Sequence, residues 1–188
     1  MVITYHGENC FKIQSGEKSV VVDPLSEKFK ADVTIKTGFP LPVGKPEENL
    51  IIGPGEYEVK EIVIRGYAVP GEEGKDSLTT IYSVKMEDIE LGFFGHIAKM
   101  PDAETIEKLG NAEILFLPVG GGKYLDAKSA AKIVKQLKPS VLIPTYYKNT
   151  KEFAEETGIK AELSDKFTTK KKEIVEMGES VKLIFLKA

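Results

Sequence analysis

Few residues in this 188-residue chain could support metal, nucleophilic or acid–base chemistry. It contains two histidines, His6 and His96, and one cysteine, Cys10. A catalytic metal centre takes about three protein ligands plus a water, whose pKa the ion lowers so that hydroxide forms near neutral pH. His6, His96 and the carboxylate of Asp23, in VVVDP, would just meet that count, with Glu8 as a further oxygen donor. Each also has a structural reading. His6 stands beside Gly7 and reads as a polar strand-end residue. His96, in GHIAK, reads either as a hydrogen-bonded histidine at a strand end or as an acid–base group or ligand facing a pocket. Asp23 follows a buried strand, where an unpaired carboxylate is costly, so it should accept backbone N–H groups and hold the loop after it. Cys10 sits in an apolar strand with no evident base partner and reads as a core thiol.

Two further stretches could contact a ligand. Gly120, Gly121 and Gly122 join the apolar run EILFLP to a helix that starts at Asp126. Such a connection can turn N–H groups toward an anion. It lacks the Lys-Ser/Thr ending of a phosphate loop, and Asp126 would repel phosphate. A tight turn beneath a pocket is the structural alternative. Tyr146 and Tyr147, in IPTYYK, could stack on a ligand, donate to it, or simply fill space.

Composition narrows the classes. Apolar residues are 41% and charged residues 29%, as in a globular chain with a real core. The formal net charge of −3 gives no general drive toward nucleic acid or an anionic membrane. No apolar run approaches the roughly 18 residues needed for a membrane span. The first residues, VITYHG, form a strand pattern and not a signal peptide, so a cytoplasmic location is the expectation. A single cysteine rules out an internal disulfide and a Cys-rich zinc site.

The elements that would position these residues change period midway. Residues 2–5, 10–14, 19–22, 33–35 and 50–52 are short β-like runs, with SGEK at 15–18 as a hairpin turn. Residues 56–60, 61–68 and 79–85 suggest a meander, interrupted by a polar loop at 69–77. MEDIELGFFG adds another turn and strand. The second half alternates helices with buried strands. Residues 101–110 read as a helix with Pro at its start and Gly at its end. Residues 126–139 are the strongest helix, capped by Asp126, with Ala127, Ala130, Ala131, Val134 and Leu137 on one face. Residues 150–157 form a shorter one. Runs 113–118, 140–144 and 181–186 suit strands covered on both faces. KKK at 170–172 reads as a solvated turn or edge. Many strands followed by alternating helices imply two sheets with helices packed outside, in one domain over residues 1–188.

ITYHGENCFKI followed by VVVDP resembles the opening of the metallo-β-lactamase superfamily, in its UlaG-like branch of Zn-dependent hydrolases. IIGPGEYEVKEIVIRG and ILFLPVGGGKYLDAKSAAKIVKQLKPSVLIPTYYK resemble two later signatures of that branch, so the likeness covers nearly the whole chain. The resemblance implies a four-layer αβ/βα sandwich, two mixed sheets with outer helices. It implies zinc-assisted hydrolysis of a phosphoester or lactone, with Asp23 supporting the metal loop from behind. It also implies ligands that this chain does not carry. Where the family places HxHxDH after ADVTIKT, this chain has Gly38, Phe39, Pro40, Leu41, Pro42 and Val43. His96 and Lys99 stand near the later GDxGH motif, and Tyr146 stands where the final His would be.

The expectation is therefore a member of the fold without a metal cofactor, acting on an unknown small molecule or protein and not on nucleic acid or a membrane. Phe39, Leu41 and Val43 would pack where imidazoles would sit, stiffened by Pro40, Pro42 and Pro46. His96, Asp23 and Tyr146 are the candidates for any remaining chemistry. Gly120, Gly121, Gly122, Tyr146 and His96 are the candidate ligand contacts. The alternative is a metal-dependent hydrolase with a reduced site built on His96, Asp23 and Glu8. Self-association is compatible with this family type.

Overall fold

The computed structural model describes residues 1–41, 47–70 and 77–188. Pro42, Val43, Pro46 and most of the 69–77 loop, for which expectations were given above, lie outside these residues. The strands are β1 (Val2–Tyr5), β2 (Phe11–Ser15), β3 (Lys18–Val22), β4 (Val33–Lys36), β5 (Gly38–Pro40), β6 (Leu50–Ile52), β7 (Gly55–Val59), β8 (Ile62–Val69), β9 (Ser77–Met86) and β10 (Ile89–Phe93). Then follow α1 (Ala103–Glu107), β11 (Ile114–Pro118), α2 (Ala127–Leu137), β12 (Val141–Thr145), α3 (Thr150–Thr157), β13 (Ala161–Ser164), β14 (Lys166–Thr168), α4 (Lys171–Glu176) and β15 (Lys182–Leu186).

Two mixed sheets face each other. One has the order β14-β1-β2-β3-β4-β6; the other runs β13-β15-β12-β11-β10-β9-β8-β7, with β5 added to β9. In the first sheet β1, β2 and β3 pair antiparallel, then β3, β4 and β6 parallel. In the second, β7 to β10 form an antiparallel meander and β10, β11 and β12 continue parallel. Parallel strands end on the same side, so the ends of β3, β4, β10 and β12 can supply one site.

Side-chain alternation decides which residues fill which layer. Along β11, Ile114 and Phe116 enter the core between the sheets, while Leu115 and Leu117 face outward beneath the helices. The apolar run ILFLP is therefore buried on both faces. Phe116 stacks on Phe93 at 4.3 Å and meets Phe11 edge-on at 4.7 Å, which joins the two sheets through aromatic contacts. Helices α1, α2 and α3 cover the outer face of the larger sheet with Ile106, Ala130, Val134 and Phe153, among others. Helix α4 instead sends Ile174 into the core between the sheets.

Four details depart from the sequence reading. The helix expected over 101–110 is α-helical only at Ala103–Glu107, because the chain then tightens so that Leu109 and Ala112 both reach the outer core. KKK does not form a turn. It opens α4, where Glu173 reaches back to the Lys170 N–H at 2.9 Å and Ile174 anchors the helix. Strands β13 and β14 had no separate signal. Strand β5 falls on the Gly38–Pro40 segment expected only as a packed connection. Among the described residues, no helix is long and apolar enough to cross a membrane.

Helix α2 is capped as expected, with Asp126 Oδ1 accepting from the Ser129 N–H at 2.7 Å. Asp126→Ala should lower stability by about 1 kcal/mol. Asp126→Asn should keep most of it. Urea unfolding of the two variants checks this; no loss in Asp126→Ala would show that the cap contributes nothing.

Candidate functional site

Four strand ends converge on one polar cluster. Asp23 follows β3 and turns with φ +44°, which an aspartate tolerates through its short polar side chain. Thr37, fully buried, lies between β4 and β5. His96 comes after β10, past Gly95 at φ +57°. Tyr146 follows β12 at φ +52°, a rare conformation for an aromatic residue, and is held there by packing and hydrogen bonds.

These side chains form a single hydrogen-bonded series. Asp23 Oδ1 accepts from the Thr37 N–H at 2.8 Å. Asp23 Oδ2 accepts from Thr37 Oγ1 at 2.5 Å and from Asn9 Nδ2 at 2.5 Å. Thr37 Oγ1 also lies 2.8 Å from His96 Nδ1, and Tyr146 Oη lies 2.9 Å from His96 Nε2. A hydroxyl has one proton to give. If Thr37 donates its proton to Asp23, Nδ1 of His96 must be the protonated nitrogen. In the neutral imidazole Nε2 is then an acceptor, and Tyr146 donates to it. The Tyr146 ring is stacked on Tyr124 at 3.7 Å and 12°.

The electrostatics follow from burial. The Asp23 side chain is 10% exposed. Its carboxyl is pushed above the usual range by burial, against the opposing pull of His96 and the Thr37 and Asn9 donors. The Tyr146 hydroxyl is likewise pushed up, first by burial and then by the nearby Tyr124 and Asp23. It is therefore a neutral hydroxyl and not a phenolate nucleophile. Burial also raises the Cys10 thiol, which disfavours its reactive thiolate.

Close approach explains two of the glycines. A Cβ on Gly95 would lie 2.1 Å from Thr37 Oγ1, and one on Gly120 would lie 1.9 Å from the Tyr146 backbone oxygen. Only glycine lets the chain pass so near the series.

A cavity of about 420 Å³ opens over the cluster, and its lining includes Leu25, Phe39, Lys36, His96, Tyr146 and the exposed Glu8. Lys36 also borders a neighbouring cavity of about 270 Å³, so it stands on the partition between them. Its Nζ rests 5.1 Å from the Phe39 ring centre.

The structure thus brings His96, Asp23 and Tyr146 together and places Glu8 on the lining of the same cavity. His6 does not join them; it is exposed, edge-on to Phe29 at 4.8 Å. Gly120 backs Tyr146, while Gly121 and Gly122 lie in the turn beyond it and outside the cavity lining. Sequence reasoning missed Asn9, Thr37 and Tyr124. Thr37 did carry a faint signal, as a polar residue closing a strand just before Gly38.

The family's metal does not fit these residues. Among the described residues, no three His, Cys, Asp or Glu side chains gather so that they could hold an ion. Both nitrogens of His96 meet protein partners, and three donors already occupy the oxygens of Asp23.

Two mixed sheets face to face, with helices outside and a polar site at the strand ends, define a metallo-β-lactamase-type sandwich. A structure from Thermotoga maritima, described as a Zn-dependent hydrolase of the metallo-β-lactamase superfamily, shares this fold, with TM-score 0.80 over 99% of each chain at 22% identity. Residues 2–146 match the family described as beta-lactamase superfamily domain, and the chain belongs to that family. Relatives named metal-dependent hydrolases include one from Pyrococcus horikoshii, 28% identical over 183 residues (90% of this chain, 72% of the relative). Another, from Anoxybacillus flavithermus, is 24% identical over 193 residues (78% of this chain, 86% of the relative).

Proposed function

We propose that this protein is a metal-free member of the superfamily that binds a small molecule in the cavity over His96 and does not hydrolyse it. The observation that carries this reading is the engagement of both His96 nitrogens, Nδ1 with Thr37 and Nε2 with Tyr146. A metal ligand needs a free nitrogen lone pair aimed at the ion. With Thr37 donating to Asp23, Nδ1 donates to Thr37 and Nε2 accepts the hydrogen bond of Tyr146, so neither lone pair is left for an ion. The cavity remains, and its size suits a small organic ligand.

A second reading rests on the relatives, which are named metal-dependent hydrolases. It would use His96, Asp23 and Glu8 as a reduced metal site. Elemental analysis of protein purified without added metal separates the two. The expected result is far less than one ion per chain. Near-stoichiometric zinc, manganese or iron that disappears in His96→Ala would overturn the metal-free reading.

A further inference from the structure

On the reading that this cavity binds and does not hydrolyse, we propose that its ligand is a small organic monoamine held through its ammonium group. The argument is a count of protons. With the imidazole neutral, Tyr146 donates to His96, His96 to Thr37, and Thr37 to Asp23. Every proton in the series points inward. Tyr146 Oη, which also meets the Tyr124 side chain, keeps a lone pair as an acceptor on the cavity lining. Asn9, which is 1% exposed and lines the same cavity, turns its Nδ2 to Asp23 and leaves Oδ1 without a partner. That unopposed carbonyl dipole adds negative potential there. Glu8 brings a carboxylate to the same lining. A carboxylate or phosphate head would meet the Tyr146 lone pairs and the Glu8 carboxylate, while the buried Asn9 Oδ1 acts on it only through its field. An ammonium would meet a hydrogen-bond acceptor and an opposite charge.

Lys36 also lines this cavity and brings a cation to it, with its Nζ 5.1 Å from the Phe39 ring centre, and Leu25 contributes apolar surface. A second positive charge on the ligand would face this ammonium. The ligand therefore has one amine, an apolar body, and a neutral or anionic tail.

The test uses 2-phenylethylamine as probe, with 3-phenylpropionate as the anionic match and 1,4-diaminobutane as the dication. Titrations of the metal-free protein are read by calorimetry and by the ¹⁵N shifts of the His96 ring, with His6 as internal control. The amine should bind and shift the His96 signals, at least about tenfold more tightly than either comparator. Tyr146→Phe should weaken it about tenfold. Glu8→Gln, at an exposed position, should weaken it several-fold in a salt-sensitive way. Lys36→Gln should narrow the gap to 1,4-diaminobutane. Equal or tighter binding of 3-phenylpropionate would overturn the monoamine assignment and leave the binding function standing. Amine binding that is unchanged in both Tyr146→Phe and Glu8→Gln would overturn it as well, as would no binding by any probe. A metal-loaded protein would already have failed the elemental analysis, so the two readings fall separately.

Discussion

Gly120→Ala should cost at least about 4 kcal/mol, or prevent folding altogether. The new Cβ would sit 1.9 Å from the backbone oxygen of Tyr146, and backbone cannot swing aside as a flexible side chain can. Neither segment is free to retreat. Gly120 forms a bridge with Asp126, and the neighbouring Val119 N–H donates to the Thr145 oxygen at 3.0 Å. Gly122→Ala is the matched control two residues away. It has φ +71° and nothing within 4 Å of its new Cβ, so it should cost only about 1–2 kcal/mol from the left-handed backbone. Urea unfolding followed by circular dichroism compares them. A Gly120→Ala protein within about 1 kcal/mol of Gly122→Ala would show that the strand ends around Tyr146 yield easily.

Asp23→Ala should destabilise by about 3 kcal/mol, because it strands the Thr37 N–H, the Thr37 hydroxyl and the Asn9 amide in a largely buried site. Asp23→Asn keeps the shape and one acceptor oxygen and should lose less. The pH dependence gives a second readout. Burial raises the Asp23 carboxyl above its ordinary value, so the folded state holds this proton more tightly than the unfolded chain does. The resulting stability is fully present below the ordinary carboxylate pKa of about 3.9 and is lost as pH rises through the raised value. Asn titrates in neither state. Its deficit relative to Asp should therefore narrow as pH rises from the acid side toward neutrality. A deficit that widened over that range would mean that the three donors and His96 outweigh burial.

The layered fold was legible because most elements obey one local rule each. The alternation of β2, the doubly apolar run of β11 and the one-sided face of α2 follow directly from which atoms each must bury. Strand β5 was not legible, since Gly38 and Pro40 are strand breakers by local preference. It exists because β9 extends past the end of β10 and offers Ser77 to Thr79 as a partner. Helix α4 was hidden by its own charges, with only Ile174 to mark a buried face. For the site, the departures from the family pattern at Gly38, Phe39, Pro40, His96 and Tyr146 fall on the lining of one cavity. They could not show what fills it. Thr37 and Asn9 matter only because separate strand ends and turns deliver them to the same carboxylate, a relation that no spacing along the chain encodes.

The short β5 strand also has a mechanical consequence. Strand β4 belongs to one sheet and β5 to the other, and Thr37 is the single residue between them. Its N–H is tied to Asp23 and its oxygen receives the Thr80 N–H at 2.9 Å. The two leaves of the sandwich are thus stitched together at the end where the cavity opens. Prising them apart would break the Gly38–Pro40 ladder and the Thr37 anchor in one step, so this end acts as a clasp and not as a hinge. Access to the cavity is therefore through its existing mouth, at the end that the clasp holds.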